Sequence, residues 1–526
     1  MISRIVLFVK DLNEKQILWI LLGITFGLRL YAVLMAEGIS YDGAAYGFIA
    51  RNFLRHDFAG GLSSPLHPFY PFLIYLVSPG PHHVEMAGRL ISLFFGTVTL
   101  IPVFYLVKEF VGQKEAVLSG LFYSFHPYLV TYSGMLLSEA TYWGLLTLSV
   151  YFFWRGLNRK EVLGCMLSGA CLGLSYLTRP EGIGYLIVFL VWIIIGGETR
   201  KGWFKKCFMT ASLMIGFFIF AFPYMFTIRQ ETGQWLISKK GPVTQSRLMK
   251  WVEVNEAPQN GGLKDLRKED LKSEKVIEQP RQSTKHFNLM ETGKLILQLF
   301  PFTLYHYLRA YHFALWLFFF LGLIRVRQNG IKAEIFLASF VLFHLFSLST
   351  FTHSTIRFSV PLVPISLFWA GAGVLEVERC LRRIKISNPG KWVSFLIILS
   401  LLIQLPQSLI PERRHRAEEK KVGLWLKQYT QESAIIMSNS PIEAFYAERE
   451  FMLLPPGILT PEMLGKSYEE IIRSAREKGV EYILTNKHTH EINPDFEESI
   501  QSADLREFHR YTGKDGNLII VYEVIH

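Results

Sequence analysis

The chain has 526 residues, of which half are hydrophobic and 14% aromatic, and its formal net charge is +11. This apolar content is too high for several soluble domains and is typical of a protein that crosses a membrane many times. The positive charge is spread over short loops rather than gathered on one soluble face, which argues against a nucleic-acid partner.

Apolar segments recur along the chain at the spacing of membrane-spanning helices, and eleven are predicted. They cover 17–36, 88–107, 115–132, 137–154, 161–177, 182–196, 207–227, 310–324, 333–350, 357–375 and 391–410. Several are short, so merging or splitting would give ten to thirteen spans. Cys165, Cys171, Cys207 and Cys380 fall in these spans or their inner flanks, with spacing unsuited to zinc and no disulfide framework.

Lysine and arginine predict the orientation, because short basic loops are retained in the cytoplasm. Basic residues cluster before the first span and after spans two, four, six, eight and ten. The N-terminus is therefore expected inside a bacterial inner (plasma) membrane, with loops 37–86 and 228–309 and the tail 411–526 outside. Lys15 precedes the first span and no small-residue cleavage site follows it, so this span is predicted to be an uncleaved anchor.

The first external loop carries the sequence SYDGAAYGFIARNFL at 40–54 and then LHPFYPFLI at 66–74. Residues 42–55 have helical hydrophobic spacing and predict a short amphipathic helix in the membrane interface. Asp42 and His67 are the chemically notable residues. The simpler alternatives are that Asp42 only caps the helix and that His67 is an ordinary loop residue.

The tail from about residue 411 is predicted to be a soluble, periplasmic α/β domain, and residues 1–410 form the membrane domain. Strands are expected at 434–438, 481–486 and 517–524, and helices at 425–429 and 467–479. The tail shows no Gly-rich phosphate loop and no nucleophile motif. A scaffold or a docking site for an acceptor is therefore the favoured role.

Ionisable residues collect at one level, the outer rim of the predicted spans. They are Asp42, Arg89, Glu139, Arg179, Glu181, His353 and Arg357. Charges at such positions are costly in lipid and therefore mark function. Arginine binds a phosphate through two parallel hydrogen bonds, and a carboxylate can act as general base toward a hydroxyl group. The set thus suits a reaction between a membrane-held substrate and an external one.

Each rim residue also has a structural alternative. Arg89 and Arg357 could be anchors whose charged ends reach the interface. Arg179 and Glu181 could form an ion pair inside a tight turn, and Glu139 could simply complement a helix dipole. Convergence of all of them on one side favours the functional interpretation.

Several motifs in this order resemble the membrane glycosyltransferases of family 39, within the C-type superfamily. Besides the two loop motifs above, they are AGRLISLFFGTVTLIPVFYLVKEFVG at 87–112, LSEATYWGLLTLSVYFFWRG at 137–156, LSYLTRPEG at 174–182 and IRFSVPLVPISLFWAGAG at 356–373. The family includes protein O-mannosyltransferases and bacterial aminoarabinose transferases. The resemblance covers about residues 15–375 and rests on motif order, since each motif alone is weak.

The resemblance implies roles for individual residues. Asp42 would be the catalytic acid-base residue and Glu139 a second catalytic acid, while Arg89, Arg179 and Arg357 would contact the donor phosphate. We further expect the substrate to contact Tyr46, His67, Glu181 and His353. Many relatives have an acidic residue directly after the first aspartate, whereas this chain has Gly43. Some relatives bind a divalent metal ion, but its ligands are not assigned here.

The resulting expectation is an integral membrane enzyme that moves a sugar, a hexose or pentose, from a polyprenyl phosphate donor to an external acceptor, by single displacement with inversion. The acceptor could be protein, lipid A, another glycan or another lipid. A polytopic transporter or a flippase for the lipid carrier is the alternative from another class. A catalytically inactive family member that organises the envelope is a third alternative, suggested by Gly43.

Overall fold

The structure is a computed structural model and describes residues 13–195, 202–239, 289–324, 331–350, 355–410, 416–453, 468–486, 489, 496, 499–513 and 518–526. The first part of the chain is helical. Its helices are α1 (Glu14–Met35), α2 (Tyr41–Leu54), α3 (Phe58–Ser63), α4 (Phe69–Val77), α5 (Val84–Val98), α6 (Leu100–Phe110), α7 (Gln113–Phe125), α8 (Pro127–Ser133), α9 (Glu139–Arg159), α10 (Val162–Thr178), α11 (Tyr185–Ile195), α12 (Trp203–Thr232), α13 (Leu289–Tyr311), α14 (Trp316–Ile324), α15 (Lys332–Leu348), α16 (Ile356–Ser359), α17 (Val363–Arg383) and α18 (Pro389–Leu409). Short 3₁₀ turns lie at Pro81–His83, Pro180–Gly184, Phe313–Leu315 and Val360–Leu362.

Every predicted apolar segment overlaps a helix or a broken helix. Within the described ranges, five helices are long and apolar enough to cross a membrane, or up to six if one bent pair counts as a single span. That pair is bent by 80° between Ile296–Tyr311 and Phe313–Ile324. His312 occupies the break with φ 68. A largely helical membrane fold is therefore observed, whereas the count of eleven spans stays a prediction.

Small residues allow the helices of the membrane part to pack closely. On α10, a Cβ added to Gly169 would lie 2.1 Å from the carbonyl oxygen of Leu213 on α12. On α12, a Cβ at Gly216 would lie 2.2 Å from the carbonyl oxygen of Met166. Because apolar side chains gain little by leaving lipid, such close backbone packing is a main source of helix association in a membrane.

The tail contains a five-stranded sheet in the order β2-β1-β3-β5-β4. The strands are β1 (Ile435–Ser438), β2 (Glu450–Leu453), β3 (Val480–Thr485), β4 (Leu505–Thr512) and β5 (Leu518–Val524), and the helices are α19 (Ala417–Tyr429), α20 (Pro441–Ala447) and α21 (Tyr468–Glu477). β1 is parallel to β2 and β3, and β5 is antiparallel to β3 and β4. Apolar residues of α19 and α20 pack on one face, and those of α21 pack on the other.

Strands β1, β3 and β5 overlap the strands expected at 434–438, 481–486 and 517–524, whereas β2, β4 and α20 have no counterpart in the sequence prediction. β4 is an edge strand that carries the exposed charged residues Arg506, Glu507 and Arg510, and α20 has only seven residues. That the tail is a separate external domain stays a prediction. In its packing the tail is not isolated, because Ile442, Phe445 and Tyr446 of α20 share a hydrophobic cluster with α2, α4 and α5.

Helix α20 docks directly on α2. The guanidinium of Arg51 lies 4.1 Å from the centre of the Phe445 ring, and its Nη1 donates to the carbonyl oxygen of Phe445 over 2.9 Å. Arg51 is buried by these contacts. The sequence predicts an amphipathic helix with Arg51 between its apolar positions, on the polar face, whereas in the structure Arg51 is buried against the tail. Phe445 fits against Gly47, where an added Cβ would lie 2.2 Å from Cε2 of the ring.

Two further contacts fix the tail to the outer rim. Glu85 of α5 accepts a hydrogen bond from the Tyr446 hydroxyl over 3.1 Å and pairs with Lys420 over 3.6 Å. At the start of α19, Arg416 Nη1 donates to the hydroxyl of Tyr41 over 3.0 Å. Tyr41 directly precedes Asp42 in α2, so the tail holds the first turn of this helix as well as its middle.

A methyl group at Gly47 is expected to loosen the docked tail. Gly47→Ala must displace the buried Phe445 ring, and overpacking of this kind costs about 1–3 kcal/mol. We expect a lower melting temperature and faster release of the tail during limited proteolysis. Gly27→Ala on α1 is the matched control, because nothing lies within 4 Å of a Cβ there. Equal protease resistance of the two variants would show that α20 does not hold the tail.

Glu443 is a buried carboxyl group in the first turn of α20. Burial and the nearby carboxylate of Glu419 raise the pKa of Glu443 to about 8. The folded state therefore binds this proton more tightly than the unfolded chain, so the free energy of unfolding falls as pH rises from about 4.5 to 8.

Glu443→Gln should remove this pH-dependent loss of stability, because the glutamine amide does not ionise. We expect the variant and the parent chain to melt alike near pH 5 and the variant to melt several degrees higher near pH 8.5. Thermal unfolding measured from pH 5 to 8.5 checks whether the variant gains stability relative to the parent chain as pH rises. A difference that shrinks as pH rises would contradict a buried, protonated Glu443.

Candidate active site

The first turn of α2 presents Asp42 to the outer rim. Ser40 is the N-cap residue, and its side-chain oxygen accepts a hydrogen bond from the backbone N–H of Gly43 over 3.0 Å. The cap is therefore supplied by serine, and the alternative in which Asp42 only caps the helix is not what the structure shows. The side chain of Asp42 is 45% exposed, so an external molecule can reach it.

Gly43 is required by close packing. A Cβ at this position would lie 2.8 Å from the carbonyl oxygen of Leu136, in the segment before α9. Backbone at that distance cannot yield as a flexible side chain can. The acidic residue that many relatives carry here would thus be excluded by sterics.

An ion-pair network joins Asp42 to three other elements. Arg357 Nη1 lies 2.6 Å from Asp42 Oδ2, and its Nε donates to Glu139 Oε1 at the start of α9. The same Glu139 oxygen accepts from Arg179 Nη1 over 2.9 Å, and Arg179 Nη2 lies 3.2 Å from Glu181 Oε1. Five of the predicted site residues thus form one continuous cluster, in which the paired residues Asp42 and Arg357 are 315 positions apart in the chain.

Side-chain exposure increases through the cluster, from the buried Glu139 to the accessible Asp42. The Glu139 side chain is 0% exposed, Arg179 is 11%, Arg357 is 23% and Asp42 is 45%. Two guanidinium groups face three carboxylates, so the described cluster carries one excess negative charge. Glu139 Oε2 is buried and has no hydrogen-bond partner in the described part of the chain.

The surroundings fix the protonation of neighbouring groups. Burial raises the pKa of Tyr46 far above its ordinary value, and the carboxylates of Asp42 and Glu139 act in the same direction. Tyr46 is therefore a neutral hydroxyl group, 2.8 Å from the Ser138 hydroxyl. Although burial alone would lower the pKa of Arg179, the carboxylates of Glu181 and Glu139 raise it, so this guanidinium stays charged.

The Arg179-Glu181 pair expected for a tight turn is present, and the turn is a 3₁₀ segment at Pro180–Gly184. The structural and functional interpretations of this turn therefore coexist. Tyr142 and Phe358 pack on the Arg179 guanidinium, with ring centres at 5.6 and 5.3 Å. Sequence reasoning did not identify them. The available signals were the helical spacing of Tyr142 from Glu139 and the aromatic residue after Arg357.

Arg89 has a different set of contacts from those of the other predicted arginines. Its guanidinium donates to the carbonyl oxygens of Val33, Ala36 and Gly38 over 2.8 to 3.3 Å, and to Glu85 over 2.5 Å. It thereby satisfies carbonyl groups left open at the end of α1. Through these contacts Arg89 stabilises the end of α1. Donor binding by this residue stays a prediction.

His67 is buried, and its Nδ1 lies 2.7 Å from the carbonyl oxygen of Tyr176 on α10. Its ring packs edge-on against the rings of Tyr176 and Tyr224, each at 5.1 Å. His67 therefore joins the first loop to α10, and a contact with substrate stays a prediction. His353 lies outside the described residues.

A divalent metal is not readily accommodated by the described side chains. No group of three or more His, Cys, Asp or Glu residues suited to hold a metal ion occurs among the residues that the structure describes. Asp42 and Glu139 each engage Arg357 through one oxygen. The reaction proposed below therefore contains no metal-dependent step.

Comparison with known proteins agrees with the resemblance drawn from the motifs. Residues 63–226 match the family described as dolichyl-phosphate-mannose-protein mannosyltransferase. A search of curated protein sequences found no match. The matched region includes Glu139, Arg179 and Glu181 but ends well before Arg357.

Solved structures share the fold over most of the chain. ArnT from Cupriavidus metallidurans bound to undecaprenyl phosphate is 10% identical with a TM-score of 0.58, covering 95% of this chain and 97% of that one. The Archaeoglobus fulgidus oligosaccharyltransferase in complex with zinc and sulfate is 12% identical with a TM-score of 0.56, covering 95% and 72%. AglB from Archaeoglobus fulgidus with an inhibitory peptide and a dolichol-phosphate is 12% identical with a TM-score of 0.51, covering 95% and 73%. The family match over residues 63–226 and the fold shared with these structures over 95% of the chain agree with the resemblance drawn from the motifs.

Proposed function

We propose that this chain, which has the fold of the C-type membrane glycosyltransferases, transfers a sugar from a polyprenyl phosphate to an acceptor outside the membrane. The observation that carries the proposal is the cluster in which Arg357 bridges Asp42 and Glu139 at the predicted outer rim. A donor of this kind is in keeping with the undecaprenyl phosphate and the dolichol-phosphate bound by two proteins of the same fold.

The reaction needs a base for the acceptor. As the acceptor oxygen bonds to the anomeric carbon, its proton must leave, and the exposed carboxylate of Asp42 is placed to take it. A single attack from the face opposite the phosphate would invert the configuration at that carbon. Asp42 and the acceptor thus belong on one side of the sugar, and the phosphate belongs on the other.

The same step breaks the bond between the anomeric carbon and the phosphate oxygen. The electron pair stays on that oxygen, and fixed guanidinium groups stabilise the charge that develops. Arg357 is the more exposed of the two arginines, and Arg179 lies deeper in the same cluster. In the described cluster both arginines are already paired with carboxylates, so we infer that the donor phosphate displaces Asp42 from Arg357 and frees it as base.

Glu139 has a different part in this scheme. It is fully buried beneath both arginines, and one of its oxygens accepts from each of them. Because neither substrate can reach the Glu139 carboxylate, Glu139 cannot exchange a proton with either of them directly. We infer that Glu139 is a positioning residue that sets the spacing of Arg179 and Arg357, rather than a second catalytic acid.

A flippase or transporter is the alternative, and product analysis separates it from a transferase. The purified protein is incubated with radiolabelled undecaprenyl-phosphate hexoses and pentoses together with solubilised envelope material as acceptor source. A transferase releases undecaprenyl phosphate and labels an envelope component. Recovery of every donor intact, with label moved only across reconstituted vesicles, would favour the transporter.

Location follows the same proposal. The apolar helices agree with a multi-pass membrane protein. We infer a bacterial inner membrane with the N-terminus in the cytoplasm and the tail in the periplasm, since only then does the cluster face external acceptors. Cysteine labelling at Asp57 and Asn158, in loops predicted to lie on opposite sides, tests this orientation.

A further inference from the structure

His344 is a buried histidine of α15, within one of the predicted membrane spans, and the reaction scheme does not use it. Ionisable side chains inside such spans are costly in lipid and tend to mark function. Both of its ring nitrogens have partners. Nδ1 lies 2.5 Å from the hydroxyl oxygen of Tyr185 on α11, and Nε2 lies 2.9 Å from the carbonyl oxygen of Phe358 on α16. His344 therefore joins three helices at one point.

These two partners define the hydrogen-bonding role of each ring nitrogen. A carbonyl oxygen can only accept, so Nε2 carries a proton and donates it to Phe358. In a neutral imidazole the other nitrogen is then an acceptor, and the Tyr185 hydroxyl donates to Nδ1. The rings of His344 and Tyr185 are also stacked, with an angle of 15° between their planes. The imidazole is thus fixed in both position and orientation.

The carbonyl group of Phe358 lies where the backbone cannot complete its own hydrogen bonds. α16 has only four residues, and a 3₁₀ turn at Val360–Leu362 follows it. In such a turn each carbonyl oxygen accepts from the N–H group three residues later. For Phe358 that residue is Pro361, which has no N–H group. His344 supplies the missing donor and thereby ties α16 to α15.

Phe358 is next to both arginines of the ion-pair cluster. It directly follows Arg357, whose guanidinium bridges Asp42 and Glu139. Its ring packs on the Arg179 guanidinium, with the ring centre at 5.3 Å. A shift of α16 would therefore displace Arg357 and withdraw the ring from Arg179 together.

We propose that His344 is a positioning residue of the candidate active site, which holds Phe358 and through it Arg357 where the donor phosphate is bound. Glu139 pairs with the guanidinium groups themselves, whereas His344 acts on the backbone of the short helix that carries one of them. The effect on the donor rests on the proposed function. The coupling between His344 and Arg357 does not, so the two can be tested separately.

His344→Leu removes both hydrogen bonds and leaves an apolar side chain of similar size. A misplacement of Arg357 by about 1 Å should lower kcat/KM by up to about 10²-fold. The donor KM should rise, because Arg357 contacts the phosphate, while the acceptor KM should stay at its parent value. A variant that is only less stable would lose kcat and keep both KM values. Loss of kcat with an unchanged donor KM would therefore overturn the proposal.

His344→Gln is the conservative variant. Its amide N–H can donate to the Phe358 carbonyl oxygen, and its amide oxygen can accept from the Tyr185 hydroxyl. We expect this variant to recover most of the donor affinity that His344→Leu loses. Equal donor KM values in the two variants would show that the hydrogen bonds of His344 do not position Arg357.

His126 provides the matched control for the same experiment. It is also buried within a predicted span, and its Nε2 lies 3.3 Å from a carbonyl oxygen, that of Tyr311 on α13, which is not a residue of the cluster. His126→Leu should lower the melting temperature but leave the donor KM at its parent value. A rise in donor KM as large as that of His344→Leu would contradict a specific role for His344.

Thermal unfolding of double variants tests the coupling without any turnover. Once α16 is displaced, the ion pairs of Arg357 are already weakened, so the melting-temperature losses of His344→Leu and Arg357→Gln should not add in full when combined. Those of His126→Leu and Arg357→Gln should add. Additive losses in both pairs would overturn the proposal even if the chain transfers sugar. Coupling only in the His344 pair would support it even if no donor turns over.

Discussion

The Asp42→Asn variant should lose sugar transfer by a factor of about 10²–10⁴, the usual contribution of a positioned general base. Asparagine keeps the size of the side chain but cannot take the acceptor proton. The loss should appear in kcat rather than in donor affinity, since Arg357 remains free to hold the phosphate. Release of labelled undecaprenyl phosphate measures the rate.

Folding should survive this change. Asp42 is 45% exposed and Ser40 caps the helix, so neither a buried charge nor a cap is removed. Asp57→Asn is the matched control in the same loop, where the carboxylate accepts from the backbone N–H of Gly60 in an exposed turn. Unchanged transfer in Asp42→Asn would refute the assignment of the base.

The Glu139→Leu variant should show the largest loss of stability of any change in the cluster. Removing this carboxylate leaves Arg179 and Arg357 facing each other in a buried site without the acid they share. Breaking a buried ion pair from one side costs about 3–5 kcal/mol. Thermal unfolding in detergent should therefore show a large drop in melting temperature, together with loss of transfer.

Glu376→Leu is the control for Glu139→Leu. Glu376 is also buried, but its partner Arg379 is 42% exposed and can turn to water when the acid is removed. We expect a small change in melting temperature and normal transfer. Similar losses of melting temperature and transfer in both variants would show that the pairing of Glu139 with two arginines contributes no more than an ordinary buried carboxylate.

Much of this arrangement could be predicted from residue types. Basic loops indicated which charges share the outer rim, and the motif order selected Asp42, Glu139, Arg179 and Arg357, which the structure brings together. The pairing itself could not be predicted, because residues 42 and 357 meet only through tertiary packing. Arg89 was predicted from the same kind of motif, yet its guanidinium donates to carbonyl oxygens at the end of α1.

The tail shows a second limit of sequence patterns. Short apolar runs marked β1, β3 and β5, which the sheet buries. β4 is charged along its exposed side, and the seven-residue α20 is too short to show a helical period. Yet α20 connects the tail to α2, and this contact depends on Phe445 fitting against a glycine.

Gly43 illustrates how a departure from a family pattern can be steric. In the sequence it suggested a weakened or inactive site. In the structure, the carbonyl oxygen of Leu136 occupies the space that a side chain at this position would need. The glycine lets α2 approach the segment before α9, and this approach brings the helix of Asp42 toward Glu139.

The most direct test of the account is NMR of the product from a single incubation with a labelled undecaprenyl-phosphate sugar that supports turnover. We expect one undecaprenyl phosphate to be released per sugar transferred, and the transferred sugar to have the anomeric configuration opposite to that of the donor. Both products should be missing with Asp42→Asn. A product with retained configuration, or lipid phosphate released equally by Asp42→Asn, would contradict single displacement with Asp42 as base.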